Sequence, residues 1–316
     1  MTNQPASPPS ARPVQRTLPV GATVSSGLAP DGWPLRRFDW PSDGGRGTFV
    51  VQGGRGDIFE KHLEAFAHWH ARGWSIVAFD WRGHGGSGRP PLDVARGEYA
   101  TAVADLAAVW ATIPTDRPRA LLGHSMGGFL ALRACVEGAV DPDALVLVAP
   151  MLGINGPLGR FSAPFVRLIR ALGDPGRRAW KANERPGGKA SRQSLLTHDA
   201  DRYADELFWH AQAPDHVLGP PSWNWLGESF EATAALQRDP RLATLPPPVL
   251  MVVADADRLV DSRAAIATAA RLRDAQILRF GKESAHEILR EADLVRDRAL
   301  AAIDAFLDAS LDTGPH

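Results

Sequence analysis

Serine is a poor nucleophile at neutral pH, so its chemistry depends on the neighbours that sequence and fold place around it. Ser125 stands in Gly123-His124-Ser125-Met126-Gly127-Gly128, a G-x-S-x-G turn. The apolar run Ala120-Leu121-Leu122 precedes it, and a helix-compatible stretch with Phe129, Leu130, Leu132 and Cys135 follows. A strand, a sharp turn and a helix form the setting that lifts such a serine above a sheet. Glycines flank it because a Cβ there would strike the strand or the helix. The hydroxyl would then sit at a helix N-terminus, where unpaired N–H groups and the helix dipole favour negative charge. The competing reading is an ordinary βα turn with Ser125 as a helix cap.

An activated serine needs a base within hydrogen-bond reach and an acid that orients the base. The chain offers both, in the order Ser, Asp, His. Asp255-Ala256-Asp257 follows the apolar run 248–254, Asp261 comes shortly after, and Ser284-Ala285-His286 follows the run 276–280. Loops at the carboxyl ends of parallel strands converge on one crevice, which brings these groups toward the serine. His286 is the expected base. Asp257 is the preferred acid and Asp255 the second choice; an aspartate here could equally cap a helix starting near Ser262. The oxyanion of acyl transfer needs preorganised N–H donors. Met126 is expected to supply one, and Gly54, in the loop Gly53-Gly54-Arg55-Gly56-Asp57, the other.

No cofactor and no metal are expected. The 53–57 loop lacks both the lysine and Ser/Thr of a P-loop and the G-x-G-x-x-G spacing of a dinucleotide site. His68 and His70 lie two apart on a predicted helix and do not share a face, which argues against a zinc pair. His84 and His124 are expected to be scaffold residues.

Positioning these groups requires a sheet. An edge hairpin is predicted from Thr23 to Trp40, buried strands at 47–52 and 74–79, and further strands at 145–149, 248–254 and 276–280. Helices are predicted around 59–70, 99–113, 262–272 and 287–311. This alternation implies a parallel sheet with helices on both faces. From Met151 to Leu236 no strand is visible, only helix-like pieces such as 164–172 and 201–212, and an insertion of that length should be a helical cap. The expected organisation is a tail over 1–22, a core over 23–150 and 237–316, and a cap over 151–236.

The 316 residues suffice for one large α/β domain, and a formal net charge of −1 gives no argument for a nucleic-acid partner. One cysteine excludes an internal disulfide framework. With no apolar run of membrane-spanning length, a cytoplasmic protein is expected. The cap segment 155–192 carries Arg160, Arg167, Arg170, Arg177, Arg178, Lys181, Arg185, Lys189 and Arg192 against Asp174 and Glu184. That balance predicts attraction to anionic lipid surfaces, peripherally at the inner membrane, with a solvated charged face as the alternative.

Taken together, the elbow, the Asp80-Trp81-Arg82-Gly83-His84-Gly85-Gly86-Ser87-Gly88 loop, the Asp255-Ala256-Asp257-Arg258-Leu259-Val260-Asp261 segment and Ala285-His286-Glu287 resemble the α/β-hydrolase superfamily. The chain is most similar to the serine-hydrolase branch of monoacylglycerol lipases and bacterial lysophospholipase L2-like proteins, over about residues 23–310. The resemblance matches the family acid to Asp257 and its base to His286. It implies an α/β-hydrolase fold, a mostly parallel sheet with helices on both faces and a helical cap insertion, and an ester hydrolase for monoacyl lipids. Phe165, Ile169, Trp223 and Trp225 of the cap are candidates for an acyl pocket, though packing of the cap onto the core would use them equally well. Gln52 departs from the His-Gly that family members carry before the oxyanion loop. The alternatives are a short-chain esterase, an aminopeptidase or an acyltransferase on the same triad, or a ligand-binding protein that kept the fold.

Overall fold

The computed structural model describes residues 16–89, 98–155, 162–179 and 192–311. Its strands are β1 (Thr23–Leu28), β2 (Pro34–Trp40), β3 (Gly47–Gln52), β4 (Trp74–Phe79), β5 (Arg119–His124), β6 (Ala144–Val148), β7 (Val249–Ala254) and β8 (Ala275–Phe280). They form one sheet in the order β1-β2-β4-β3-β5-β6-β7-β8. The β1–β2 hairpin meets β4 antiparallel, and every later pairing is parallel. After β3 the chain crosses to β4 on one side and then to β5 on the other. Ligand crevices of open α/β sheets lie at such a switch point, outside the carboxyl ends of the strands. Here β3 ends at Gln52, which pairs with Gly123, one residue before the end of β5.

The helices are α1 (Leu63–His70), α2 (Glu98–Trp110), α3 (Met126–Val136), α4 (Ser162–Leu172), α5 (Arg192–Leu196), α6 (Ala200–Gln212), α7 (Trp223–Arg238), α8 (Ser262–Ala269) and α9 (Asp293–Leu311). β3, β5, β6 and β7 are buried along nearly their whole length, the pattern of strands covered on both faces. On one face Leu106, Phe129 and Ala265 bring α2, α3 and α8 into the core. On the other, Phe66, Trp69 and Ile303 bring in α1 and α9. Cys135 is buried in α3.

Helices α4 to α7 all lie between β6 and β7, where the sequence showed no strand. α7 is a sixteen-residue helix that periodicity alone did not reveal; Ser222 caps it, its Oγ accepting the Trp225 N–H at 3.1 Å. The closing helix begins at Asp293 rather than Glu287, because Glu287, Arg290 and Glu291 are buried in a loop with a short 3₁₀ turn over 288–290. Arg160, Lys181, Arg185 and Lys189 of the basic run, and residues 1–15 of the expected tail, fall outside the described residues. Among the described residues no helix is long and apolar enough to cross a membrane.

Candidate active site

Ser125 occupies the tight turn between β5 and α3 with φ 54° and ψ −118°, a conformation that costs free energy for a residue with a Cβ. Three backbone hydrogen bonds hold it there. Its N–H donates to Val148 O at 3.0 Å, and its carbonyl accepts from Phe129 at 3.1 Å and Met151 at 2.9 Å. The flanking glycines are sterically required. A Cβ on Gly123 would lie 2.4 Å from Gly127 O, and one on Gly127 would lie 2.4 Å from Gly53 O.

The structure brings Ser125, His286 and Asp257 together from three loops. His286 Nε2 lies 2.9 Å from Ser125 Oγ, and His286 Nδ1 lies 2.6 Å from Asp257 Oδ2. Facing a carboxylate, Nδ1 carries the proton, so Nε2 accepts from the serine hydroxyl. The other Asp257 oxygen accepts the N–H groups of Leu259 (2.7 Å) and Val260 (3.1 Å), which fixes the carboxylate. Burial pushes the His286 pKa down, but Asp257, with Glu287 and Asp57 farther off, outweighs it and leaves the imidazole above its usual value.

The neighbouring aspartates have other partners. Asp255 forms an exposed pair with Arg279 at 2.8 Å, and Asp261 caps α8 by accepting the Arg263 N–H at 3.0 Å. Of the three aspartates after β7 that could cap this helix, Asp261 is the one that does so.

Met126 is the first residue of α3, so its N–H lacks an intrahelical acceptor and opens beside Ser125. Gly54 packs its backbone against Ser125, since a Cβ there would be 2.8 Å from Ser125 Cβ. Its N–H donates to Asp57 Oδ2 at 2.7 Å, a contact the sequence did not signal. The same oxygen faces His124 Nδ1 at 3.1 Å and His62 Nε2 at 3.5 Å. Asp57, His62 and His124 thus present potential metal-ligand atoms within 4.8 Å of one another. The chemistry of the set is that of a hydrogen-bond cluster: Asp57 Oδ2 already takes the Gly54 amide and His124, and Oδ1 takes the Lys61 ammonium at 2.5 Å. His68 pairs with Asp304, and His70 meets Pro41 O. His84 is buried in its loop, its Nδ1 bonded to Arg82 O.

A cavity of about 670 Å³ opens onto Ser125 and His286 between the sheet and α4 to α7. Phe165, Trp223 and Trp225 line it as the sequence suggested, joined by Val166, Leu226 and Phe230. Ile169 is not among the lining residues. One turn of α4, at Ser162, Phe165 and Val166, faces the cavity, and farther along Leu168 and Leu172 are exposed. Sequence reasoning missed the charged floor of this cavity, where Lys61 and Glu287 lie buried beside Asp57.

A family model described as serine aminopeptidase, S33 (Hydrolase_4) matches residues 44–293. Lysophospholipase L2 of Escherichia coli K12 is 32% identical over 229 residues, 65% of this chain and 63% of that protein, so the chain spans less than two thirds of that curated relative. A soluble variant of monoglyceride lipase from Saccharomyces cerevisiae, crystallised with a substrate analogue, superposes with TM-score 0.75 at 17% identity, over 97% of this chain and 100% of that one. Paleococcus ferrophilus monoacylglycerol lipase gives 0.68 at 19% identity, over 87% and 99%. With the elbow, the sheet order and a family match over most of its length, the chain belongs to the Hydrolase_4 family of α/β-hydrolases.

Proposed function

We propose that the protein is a serine carboxylic-ester hydrolase that acts through an acyl-enzyme on monoacyl lipid-type esters. The carrying observation is the hydrogen-bonded line from Asp257 through His286 to Ser125, opening into a largely apolar cavity under the cap helices. Ser125 Oγ attacks the ester carbonyl as His286 Nε2 takes its proton, and Asp257 holds Nδ1 protonated and stabilises the imidazolium. The tetrahedral oxyanion meets the Met126 N–H, joined by the Gly54 N–H as that group is drawn from Asp57. Collapse expels the alcohol with the proton from Nε2, and a water activated by the same ring releases the acid.

Aromatic and aliphatic lining from Phe165, Trp223, Trp225, Leu226 and Phe230 suits an acyl chain. Relatives named for lysophospholipid and monoglyceride hydrolysis support the same substrate class. An aminopeptidase would need a carboxylate to receive the substrate α-ammonium. Asp57 and Glu287, which line the cavity, are both engaged by Lys61, which favours the ester.

Intact-mass measurement after incubation with a fluorophosphonate tests the reading. A single adduct on wild type, absent in Ser125→Ala and much slowed in His286→Ala, is expected, with p-nitrophenyl esters then favouring long acyl chains over acetyl. No adduct on wild type, or one that persists in Ser125→Ala, refutes it.

Peripheral contact with an anionic membrane is part of the proposal. α4 exposes Phe165, Leu168 and Leu172 beside Arg167, and Arg177 and Arg178 are exposed in the following turn. At about 1 kcal/mol per basic residue near the surface, binding to vesicles should rise with anionic lipid and fall with salt. Binding indifferent to both would remove this part.

A further inference from the structure

The loop that carries His286 has little secondary structure of its own, yet it is buried and fixed. Its ties run to the cap. Glu287 N–H donates to Leu196 O at 2.7 Å, and His286 N–H to Leu195 O at 3.4 Å. Thr197 Oγ1 donates to Arg290 O at 2.7 Å, and His198 N–H to Glu291 Oε2 at 3.1 Å. Arg202 of α6 reaches Asp293 at 2.7 Å and Glu64 of α1 at 2.7 Å. Segment 192–206 is thus bonded along its length to the base loop.

Beneath these ties lies a buried charge centre. Lys61 Nζ contacts Asp57 Oδ1 at 2.5 Å, Glu287 Oε1 at 2.7 Å and Glu206 Oε2 at 3.2 Å. Glu206, fully buried on α6, also pairs with Arg290 at 3.0 Å and Arg192 at 2.6 Å, and Arg290 pairs with Glu287. Three cations face three carboxylates. Each carboxylate belongs to a different part of the machinery: Asp57 holds the Gly54 amide, Glu287 adjoins His286, and Glu206 belongs to the cap.

We propose that Lys61 and Glu206 are positioning residues that set the oxyanion loop and the His286 loop against one another, making segment 192–206 a fixed part of the catalytic scaffold. The inference rests on the serine-hydrolase reading above. Neither side chain touches the reacting atoms. Each acts through a neighbour: Lys61 through Asp57 on Gly54 and through Glu287 on His286, and Glu206 by completing the partners of Lys61 and Arg290. Buried ion networks hold one geometry because removing a partner leaves an uncompensated charge, so the loops shift until it finds water.

The test compares wild type, Glu206→Gln, Lys61→Met and the double variant, each first shown to be folded by circular dichroism and thermal melting. Glu206→Gln preserves shape while unbalancing the centre. It should lower kcat on a long-chain p-nitrophenyl ester roughly tenfold to a hundredfold, the range for slight misplacement of reacting groups, with KM little changed. Phosphonylation of Ser125 by a fluorophosphonate should slow in parallel, because that probe needs the serine and its base but no acyl pocket. Lys61→Met should do the same, and the double variant, which restores charge balance, should fall short of the product of the single effects. Glu206→Gln with a lowered melting temperature but kcat and phosphonylation within twofold of wild type overturns the proposal. Should that variant not fold, Glu206→Asp and Thr197→Val carry the same readings, with wild-type kcat and phosphonylation in both overturning it. Wild type that fails to phosphonylate at Ser125 refutes the serine-hydrolase reading instead, so the two failures are distinct.

Discussion

Replacing Asp257 with asparagine separates the proposed acid from its neighbours and has a magnitude that follows from the geometry. The asparagine oxygen can keep the Leu259 and Val260 N–H groups, now at 2.7 and 3.1 Å from Asp257 Oδ1. Its NH₂ then faces His286 Nδ1, where Asp257 Oδ2 now stands at 2.6 Å. A donor there turns Nδ1 into an acceptor and moves the ring proton to Nε2, which then donates to Ser125 Oγ and can no longer take the serine proton. Loss of the correct tautomer and of the imidazolium's counter-charge should lower kcat/KM by ~10³–10⁴, about 4–5.5 kcal/mol of transition-state stabilisation. The pH profile should move as well. The base must be neutral, so activity falls as pH drops through the His286 pKa, which Asp257 holds above 6.5 against the effect of burial. Without that carboxylate the acid limb of the residual activity should shift to lower pH. Steady-state kinetics on p-nitrophenyl esters across pH provides the measurement, with Asp255→Asn as the control. That variant loses a surface pair with Arg279 worth about 0–1 kcal/mol and should keep wild-type kcat. Asp257→Asn within tenfold of wild type, or Asp255→Asn equally impaired, would refute the reasoning.

Two stability predictions follow from other positions. A Cβ on Gly127 would stand 2.4 Å from Gly53 O and 2.8 Å from Gln52 O, backbone atoms that cannot swing aside, so Gly127→Ala should cost at least the ~1–3 kcal/mol of core overpacking. Gly138 has φ +73° and no atom within 4 Å of its Cβ, so Gly138→Ala should cost only the ~1–2 kcal/mol of left-handed backbone strain; equal melting temperatures would contradict this ranking. Burial pushes the His84 pKa down to about 4, so its contribution to stability is full above pH 6.5 and is lost as pH falls toward 4. Asp80, raised by burial to about 6, contributes in the opposite sense, its share present below its ordinary 3.8 and lost as pH rises toward 6. The urea-unfolding free energy of wild type relative to His84→Gln should therefore grow by on the order of 3 kcal/mol from pH 4 to 6.5, and a difference flat in pH would show that His84 is not held neutral.

Much of the site could be read from the sequence because its constraints are local. The elbow announces itself through glycines at fixed offsets from Ser125, Asp257 through its place just after the apolar β7, and His286 through its place in the loop after the last strand. The acid remained a choice among three aspartates, since each could follow β7. The structure separates them by partner: His286 for Asp257, Arg279 for Asp255, the start of α8 for Asp261. The helical spacing of Phe165, Leu168, Ile169 and Leu172 was legible, but not which turn would face inward, and the apolar stripe turned out to be divided between cavity and surface. α7 escaped notice because its charged and apolar residues share no clean period, and its start depends on a Ser222 cap that reads in sequence as one more turn residue.

Ser125 and His286 are held by different means, and that difference governs what a sequence can disclose. Ser125 keeps a strained backbone through bonds with Val148 at the end of β6, Phe129 in the first turn of α3 and Met151 just past β6, beside elements whose patterns are plain. Its position follows from the local rules of a strand, a turn and a helix. His286 sits in a loop with little regular secondary structure, and its place depends also on Leu195, Leu196 and the Lys61 centre. Lys61 is 226 residues from Glu287 and 145 from Glu206, as the pairing of these buried side chains requires. Such separations leave no periodic trace in the chain. In isolation, Lys61, Glu206 and Arg290 read as ordinary surface charges in helical stretches. Only their mutual burial distinguishes them, because a charge in the interior must have its partners within reach or it would not remain there. Substitutions at these three positions should therefore act on the chemistry from a distance, while substitutions at exposed charges of the same helices, such as Asp201 on α6, should leave it unchanged.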